Sequence, residues 1–342
     1  MTQSGPELRS GPELGNGPEL VCPAGTPAAL RAAVDAGADA VYVGFRDETN
    51  ARNFPGLNFS RRELAEARAY AHARASKLYL AINTFARAGD LGPWQQALDD
   101  AAKIGVDAVI LSDLGVLARA AEHRPELRLH LSVQASAAHP EALEYYRRSF
   151  GIRRAVLPRV LTVDDIRAMG TQTDVEYEVF VFGGLCPMAE GRCFLSSYAT
   201  GKSPNTVGVC SPAADVQYRQ RADGLVTQLG DFTINRFADG QAAAYPTLCK
   251  GRFKVRGQET HIFEEPASLN AASVMRELVD AGVSALKIEG RQRGRAYVAQ
   301  AVANMRALRD AAVRGETLEA GDLAGLEEGA RGSTGAYRKD WQ

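Results

Sequence analysis

No run of apolar residues in this sequence approaches the ~20 that a membrane-crossing helix requires. The N-terminus lacks the basic-then-apolar pattern of a secretory signal, so a cytoplasmic chain is expected. Neither sign of charge is in surplus. Lys and Arg number 40 against 41 Asp and Glu, a formal net charge of −1, which lends no support to nucleic-acid binding. Cysteine is scarce and its count, five, is odd. In a reducing compartment these thiols do not make a disulfide framework. Neither His-Glu-x-x-His nor Gly-x-Ser-x-Gly occurs, and the five histidines, His72, His123, His130, His139 and His261, are scattered. Proteolysis needs an activated nucleophile or a metal-bound water, and no local motif announces either.

What is present is globular in character. The sequence is 45% hydrophobic and 24% charged, and 342 residues make one large domain or two ordinary ones. Residues 1–18 read as a disordered leader, because Gly-Pro-Glu-Leu recurs at 5–8, 11–14 and 17–20 and such Pro and Gly density resists regular structure. From residue 19 onward short apolar runs alternate with amphipathic ones. Strands are expected at 19–22, 40–44, 77–83, 108–112, 128–134, 155–158, 176–183 and 285–289, and helices at 27–36, 61–75, 94–104 and 267–281 among others. Strict alternation implies a parallel sheet, and eight strands fit a closed TIM-like α/β barrel. A junction recurs as Ala36-Gly37-Ala38, Ile104-Gly105-Val106, Ala281-Gly282-Val283 and, more loosely, Phe150-Gly151-Ile152. Each places Gly where a helix ends in a left-handed residue before a strand.

The alternation lapses once, over residues 184–283. The chain therefore divides into the leader 1–18, seven β/α units in 19–183, a Cys-rich insertion 184–266 with an expected hairpin (252–255 with 259–263), and a last part 267–342 holding the eighth strand, a closing helix and the tail. An insertion after the seventh strand lies on the barrel face where active sites sit.

Strand parity separates the barrel interior from the helix-facing side. Leu78, Leu80, Ile82, Leu129, Leu131, Leu286 and Ile288 form the apolar set, expected to face the helices. The opposite set points inward and includes Asn83, His130, Gln134, Glu178, Lys287 and Glu289. Buried charge is costly unless paired, so these six form either a substrate-binding pocket or a hydrogen-bonded network filling the barrel. None is singled out as catalytic. The loop 46–60, with Asn50, Arg52, Asn53 and Asn58, reads as a lid or anion-binding edge, or as an ordinary solvated loop.

Four of the five cysteines, Cys186, Cys193, Cys210 and Cys249, lie in the insertion, with six, 16 and 38 residues between them. The two-residue gap of zinc ribbons and bacterial ferredoxins is missing. Turn-forming residues surround them, among them Gly183, Gly184, Pro187, Gly191, Pro212 and Gly251. Three readings stay open on chemistry alone: buried free thiols, a tetrahedral zinc site, or an iron–sulfur cluster. Arg192, Lys250 and Arg252 adjoin the thiols and either offset their charge or are plain surface basics. Cys22 reads as a buried strand end.

The stretch Glu178-Val-Phe-Val-Phe-Gly183-Gly-Leu-Cys186-Pro-Met-Ala-Glu-Gly191-Arg-Cys193-Phe-Leu-Ser196 resembles the signature of the collagenase-like peptidase family. Gly184 departs from it, standing where the family has Ser or Ala. Leu20-Val-Cys22-Pro-Ala-Gly25, Asp47-Glu-Thr-Asn-Ala-Arg52, Ser132-Val-Gln-Ala-Ser136, Tyr245-Pro-Thr-Leu-Cys249-Lys-Gly-Arg252 and Lys287-Ile-Glu-Gly-Arg291 continue the resemblance, which runs over residues 19–342. Within the family, the match is to members that serve ubiquinone biosynthesis. It implies a 4Fe–4S cluster on Cys186, Cys193, Cys210 and Cys249. It also implies a subunit of an oxygen-independent hydroxylase acting on the aromatic ring of ubiquinone precursors. A UbiV-like iron–sulfur protein is the implied heterodimer partner, and a lipid-binding UbiT-like protein serves the same route. Other members of the family hydroxylate RNA. A collagenase-like peptidase and a non-catalytic electron-transfer subunit are the rival readings.

Overall fold

The computed structural model describes residues 17–205, 210–241, 243–318, 323–327 and 331–339. The first two Gly-Pro-Glu-Leu copies, and with them most of the expected leader, fall outside these residues, as does the C-terminal Trp341-Gln342.

Seven strands come first: β1 Glu19–Pro23, β2 Ala40–Gly44, β3 Lys77–Ile82, β4 Ala108–Leu111, β5 Leu129–Leu131, β6 Arg154–Val156 and β7 Glu176–Gly184. Between them run α1 Pro27–Asp35, α2 Arg61–His72, α3 Gly92–Ile104, α4 Leu114–His123, α5 Pro140–Phe150 and α6 Val163–Met169. The long connection that follows holds α7 Leu195–Thr200, an antiparallel sheet of β8 Val216–Arg221, β9 Gly224–Leu229 and β10 Phe232–Phe237, and a hairpin of β11 Arg252–Val255 with β12 Gln258–His261. Then come β13 Ser268–Asn270, α8 Met275–Asp280, β14 Ala285–Ile288, α9 Arg295–Arg314 and the short β15 Gly332–Ser333.

β14 closes the barrel. It pairs in parallel with β1 (Leu20 opposite Leu286) and with β7 (Leu286 opposite Val179), so β1 to β7 and β14 form a ring of eight parallel strands wrapped by helices. Local chemistry supports several turns of the wrap. Thr26 caps α1 ahead of Pro27, and Ser60 with Glu63 and Thr162 with Asp165 form capping boxes on α2 and α6. The junction glycines Gly37, Gly105, Gly151 and Gly282 all have positive φ, 72–98°, as the repeat implied.

Parity separates the two layers of the core as expected. Leu78, Leu80, Ile82, Leu129, Leu131, Leu286 and Ile288 pack with the helices in one large cluster, which also buries Trp94 and Cys22. A second, smaller cluster fills the barrel axis with Val21, Ala40, Tyr42, Tyr79, Ala81, Ala108, Ile110 and Ala285. Small alanines set against two tyrosines leave room for polar side chains inside the ring.

Three local expectations change. Residues 267–281 do not form one helix. β7 outruns β6, and its free edge from Phe182 to Gly184 is taken by β13 in antiparallel pairing; helical structure begins only after Asn270, whose side-chain oxygen accepts from the Ala272 N–H. Strand five stops at Leu131, because the Ser132 hydroxyl accepts from the Gln134 N–H and starts a tight turn over Val133–Ala135. The hairpin of the insertion closes two residues early, at β12, around Arg256 and Gly257, both with positive φ. Among the described residues no helix is long and apolar enough to cross a membrane.

Candidate functional site

The floor of the barrel is an ionic network. Arg154 on β6 reaches Glu19 (2.5 Å), Glu176 (2.8 Å) and Glu178 (3.4 Å). The Tyr79 hydroxyl and Lys77 also donate to Glu19, at 2.8 and 2.7 Å. Glu178 on β7 accepts from Lys287 on β14, and both are buried. His130 is fully buried, accepts from Arg128 at 3.1 Å and meets Tyr79 edge to face. Burial, with Arg154 and Arg128 nearby, keeps its pKa well below the usual histidine value, so the ring is neutral. Burial likewise lowers the Lys287 ammonium, against the pull of Glu178.

Above this floor opens a cavity of about 70 Å³ at the C-terminal mouth of the barrel. Of the six inward residues read from the sequence, Asn83, Gln134, Lys287 and Glu289 line it, whereas His130 and Glu178 lie in the network below. The rings of Tyr42 and Phe180 form apolar walls, with Lys287 Nζ 3.9 Å from the Tyr42 centroid and the Arg159 guanidinium 3.7 Å from that of Phe180. Gln134 presents a buried Oε1 with no protein partner. Two residues that parity did not single out are central. Arg159 follows β6, donates to Glu190 at 2.5 Å and also binds Glu289. Arg291 is buried and donates to Asn50 at 2.6 Å. The signal for Arg291 was in the sequence: Lys287, Glu289 and Arg291 continue the inward spacing of two past the end of β14 at Ile288.

The loop after β2 folds into the mouth. Asn50 accepts from the Arg52 N–H and Asn58 donates to the Arg52 carbonyl, at 3.0 and 2.7 Å, so that Arg52 reaches Glu289 at 3.2 Å. Asn53 is exposed. Burial alone would raise the Glu289 carboxyl, but Arg159 and Arg52 outweigh it and hold the pKa at about 2. Burial lowers Arg291 to about 10, only partly offset by Tyr42, and raises Glu190 in spite of Arg159.

The cysteine loops sit on the same wall. Glu190 and Gly191 lie between Cys186 and Cys193. A Cβ on Gly191, whose φ is +80°, would fall 1.9 Å from the Gln134 carbonyl oxygen, so only glycine lets this loop press onto the rim. The four thiols, all free, stand within electrostatic reach of one another: Cys249 feels Cys210 and Cys193, Cys186 feels Cys249, and Cys210 feels Cys193. Burial raises the thiol pKa of Cys186, and that of Cys249 to about 11. Among the described residues no three His, Cys, Asp or Glu side chains are close enough to share one metal ion. A four-iron cube takes each thiolate on a different iron, so its ligands stand further apart than those of a mononuclear site. Four cysteines are a donor set that either a four-iron cluster or a tetrahedral zinc site can take. Of the basics that adjoin the thiols in sequence, Lys250 is buried, bonded to the Ala267 carbonyl at 3.0 Å and felt by Cys249 and Cys210; Arg252 turns to the Arg236 carbonyl and His261.

Among the described residues the histidines are paired separately from one another. His72 pairs with Asp107, His123 with Glu122, His139 with Glu141, His130 with Arg128, and His261 with Arg252 and the Gly251 carbonyl. None of these partners is a hydroxyl or a thiol.

Comparison with known proteins follows the same signature. The chain is similar to a 23S rRNA 5-hydroxycytidine synthase of Escherichia coli, 32% identical over 91% of this chain and 41% of that protein. It is 34% identical to an uncharacterized protease of Methanocaldococcus jannaschii, over 82% of this chain and 62% of that protein, and 31% identical to tRNA hydroxylation protein P of Escherichia coli, over 90% and 71%. It thus spans less than two thirds of the length of the first two. The model of peptidase family U32 matches residues 25–334. The chain belongs to peptidase family U32, the collagenase-like family that its signature resembles.

Proposed function

We propose that this chain is a UbiU-like iron–sulfur subunit of an oxygen-independent hydroxylase that acts on the aromatic ring of ubiquinone precursors, working as a heterodimer with a UbiV-like protein. The observation that carries the reading is the shared wall: Arg52 and Arg159 line the barrel-mouth cavity on one side and feel the Cys210 and Cys186 thiols on the other. The names of two relatives, an rRNA hydroxycytidine synthase and a tRNA hydroxylation protein, support hydroxylation as the reaction class.

Cys186, Cys193, Cys210 and Cys249 would hold a 4Fe–4S cluster, which supplies one-electron transfer when bound. The cavity supplies the rest. Tyr42 and Phe180 give a planar ring an apolar wall to lie against, and the unpartnered Gln134 Oε1 accepts from a phenolic hydroxyl on it. Lys287, held by Glu178, presents a proton donor at the ring's edge. The cavity, about 70 Å³, has no room for a long isoprenoid tail, so the tail stays outside, carried by a UbiT-like lipid-binding protein.

A second reading, hydroxylation of an RNA base, is favoured by those same names, because a base is also a planar ring. The two are separated by deleting the gene and growing the cells without oxygen. Mass spectrometry of quinone extracts and of RNA nucleosides then decides. Accumulation of under-hydroxylated quinone precursors with unchanged nucleosides supports the quinone reading; loss of a hydroxylated nucleoside with normal quinone replaces it.

A further inference from the structure

Four side chains form an unbroken run of ion pairs along the wall between the cavity and the cysteine loops. Arg52 Nη2 lies 3.2 Å from Glu289 Oε1, the other oxygen of Glu289 takes Arg159 Nη2, and Arg159 Nη1 lies 2.5 Å from Glu190 Oε1. The Arg159 backbone N–H adds a bond to Glu190 at 3.3 Å. All four side chains line the cavity. Arg159 and Glu190 are each 8% exposed, so solvent screens their charges weakly. The run ends at two different thiols. Arg159 and Glu190 feel Cys186, and Arg52 and Glu289 feel Cys210.

We propose that the Arg52–Glu289–Arg159–Glu190 run sets the reduction potential of the cluster held by Cys186, Cys193, Cys210 and Cys249, the arginines raising it and Glu289 lowering it. The inference rests on the iron–sulfur reading above. One-electron reduction adds a negative charge to the cluster and changes no bond to it. A fixed cation behind a ligand favours the reduced state and a fixed carboxylate opposes it, most strongly from the buried Arg159 and least from Arg52, whose side chain is 29% exposed. Because charges alternate along the run, removing neighbours in it has effects of opposite sign. Glu289 also clamps both guanidinium groups, and its place is tightly set: a Cβ on Gly184 would come within 2.9 Å of its Oε2. These four are tuning residues and are assigned no contact with reacting atoms.

The test is a potentiometric titration of the full chain, purified without oxygen and followed by electron paramagnetic resonance. R52Q and R159Q are expected to move the midpoint to more negative potential, E289Q to more positive potential, and R159K to leave it near the wild type, all with unchanged iron and sulfide content. A general loosening of the site moves every variant the same way. Shifts of one sign in all three neutralising variants, or no shift in any of them with the cluster fully loaded, would overturn the proposal. Should R159Q fail to load its cluster, the opposed pair R52Q and E289Q decides alone. A wild type without iron and sulfide ends the iron–sulfur reading itself, a result distinct from loaded variants that do not shift.

Discussion

Lys287 and Glu178 face each other from adjacent barrel strands, ammonium against carboxylate, with side-chain exposures of 6% and 0%. Breaking such a pair leaves one uncompensated charge in the barrel, which costs more than losing both. E178Q is expected to destabilise the chain by about 3 kcal/mol, and the double variant E178L/K287M by less. Urea unfolding of the metal-free chain measures both; a double variant as unstable as the single one would contradict the pairing.

Glu289 gives the fold an acid limit. Its folded-state pKa of about 2 lies below the ordinary value of 4.5, so its contribution is fully present above about pH 5 and is lost as pH falls toward 2. The stability difference between wild type and E289Q, read on metal-free chain, should therefore shrink steadily from pH 5 to pH 2.5. A difference independent of pH over that window would show that Arg52 and Arg159 do not hold the carboxylate ionised.

Gly191 is irreplaceable on geometry. Alanine there meets both a positive φ and a Cβ position 1.9 Å from the Gln134 carbonyl oxygen, so backbone must move. G191A should destabilise by about 2 kcal/mol, and the loop between Cys186 and Cys193 should become sensitive to limited proteolysis. Wild-type stability and resistance would contradict the close docking of that loop.

Gln134 separates binding from folding. Its Oε1 is buried without a protein partner, so replacing it with leucine takes nothing from the folded protein and removes an acceptor from the cavity. Q134L is expected to keep its unfolding midpoint while binding a short-chain prenylphenol about tenfold more weakly, about 1.4 kcal/mol, by calorimetry. Equal affinity would remove Gln134 from the site.

The barrel was legible because its strands are buried on both faces and its helices end on left-handed glycines, as at Gly105 and Gly151. Both signals are local. β13 was not legible: Ser268–Asn270 becomes a strand only because β7 outlasts β6 and leaves an edge to cover. Nor was the sheet of β8 to β10, since Gln217 to Arg221 are exposed along the strand and show no alternation of burial. In the site, parity found Asn83, Gln134, Lys287 and Glu289, and grouped His130 and Glu178 with them although these lie one layer lower. It did not find Arg159, which stands beyond β6 in a loop where the rule of two no longer holds. The four cysteines were visible as a cluster in sequence, but their mutual reach comes from loops whose path no periodicity encodes.

The central claim is that Cys186, Cys193, Cys210 and Cys249 hold one iron–sulfur cube against the barrel mouth. Metal and acid-labile sulfide analysis of oxygen-free protein, wild type beside C193A, tests it directly. The account predicts about four irons and four sulfides per wild-type chain and a large loss of both in C193A. One zinc per chain with no acid-labile sulfide would contradict it.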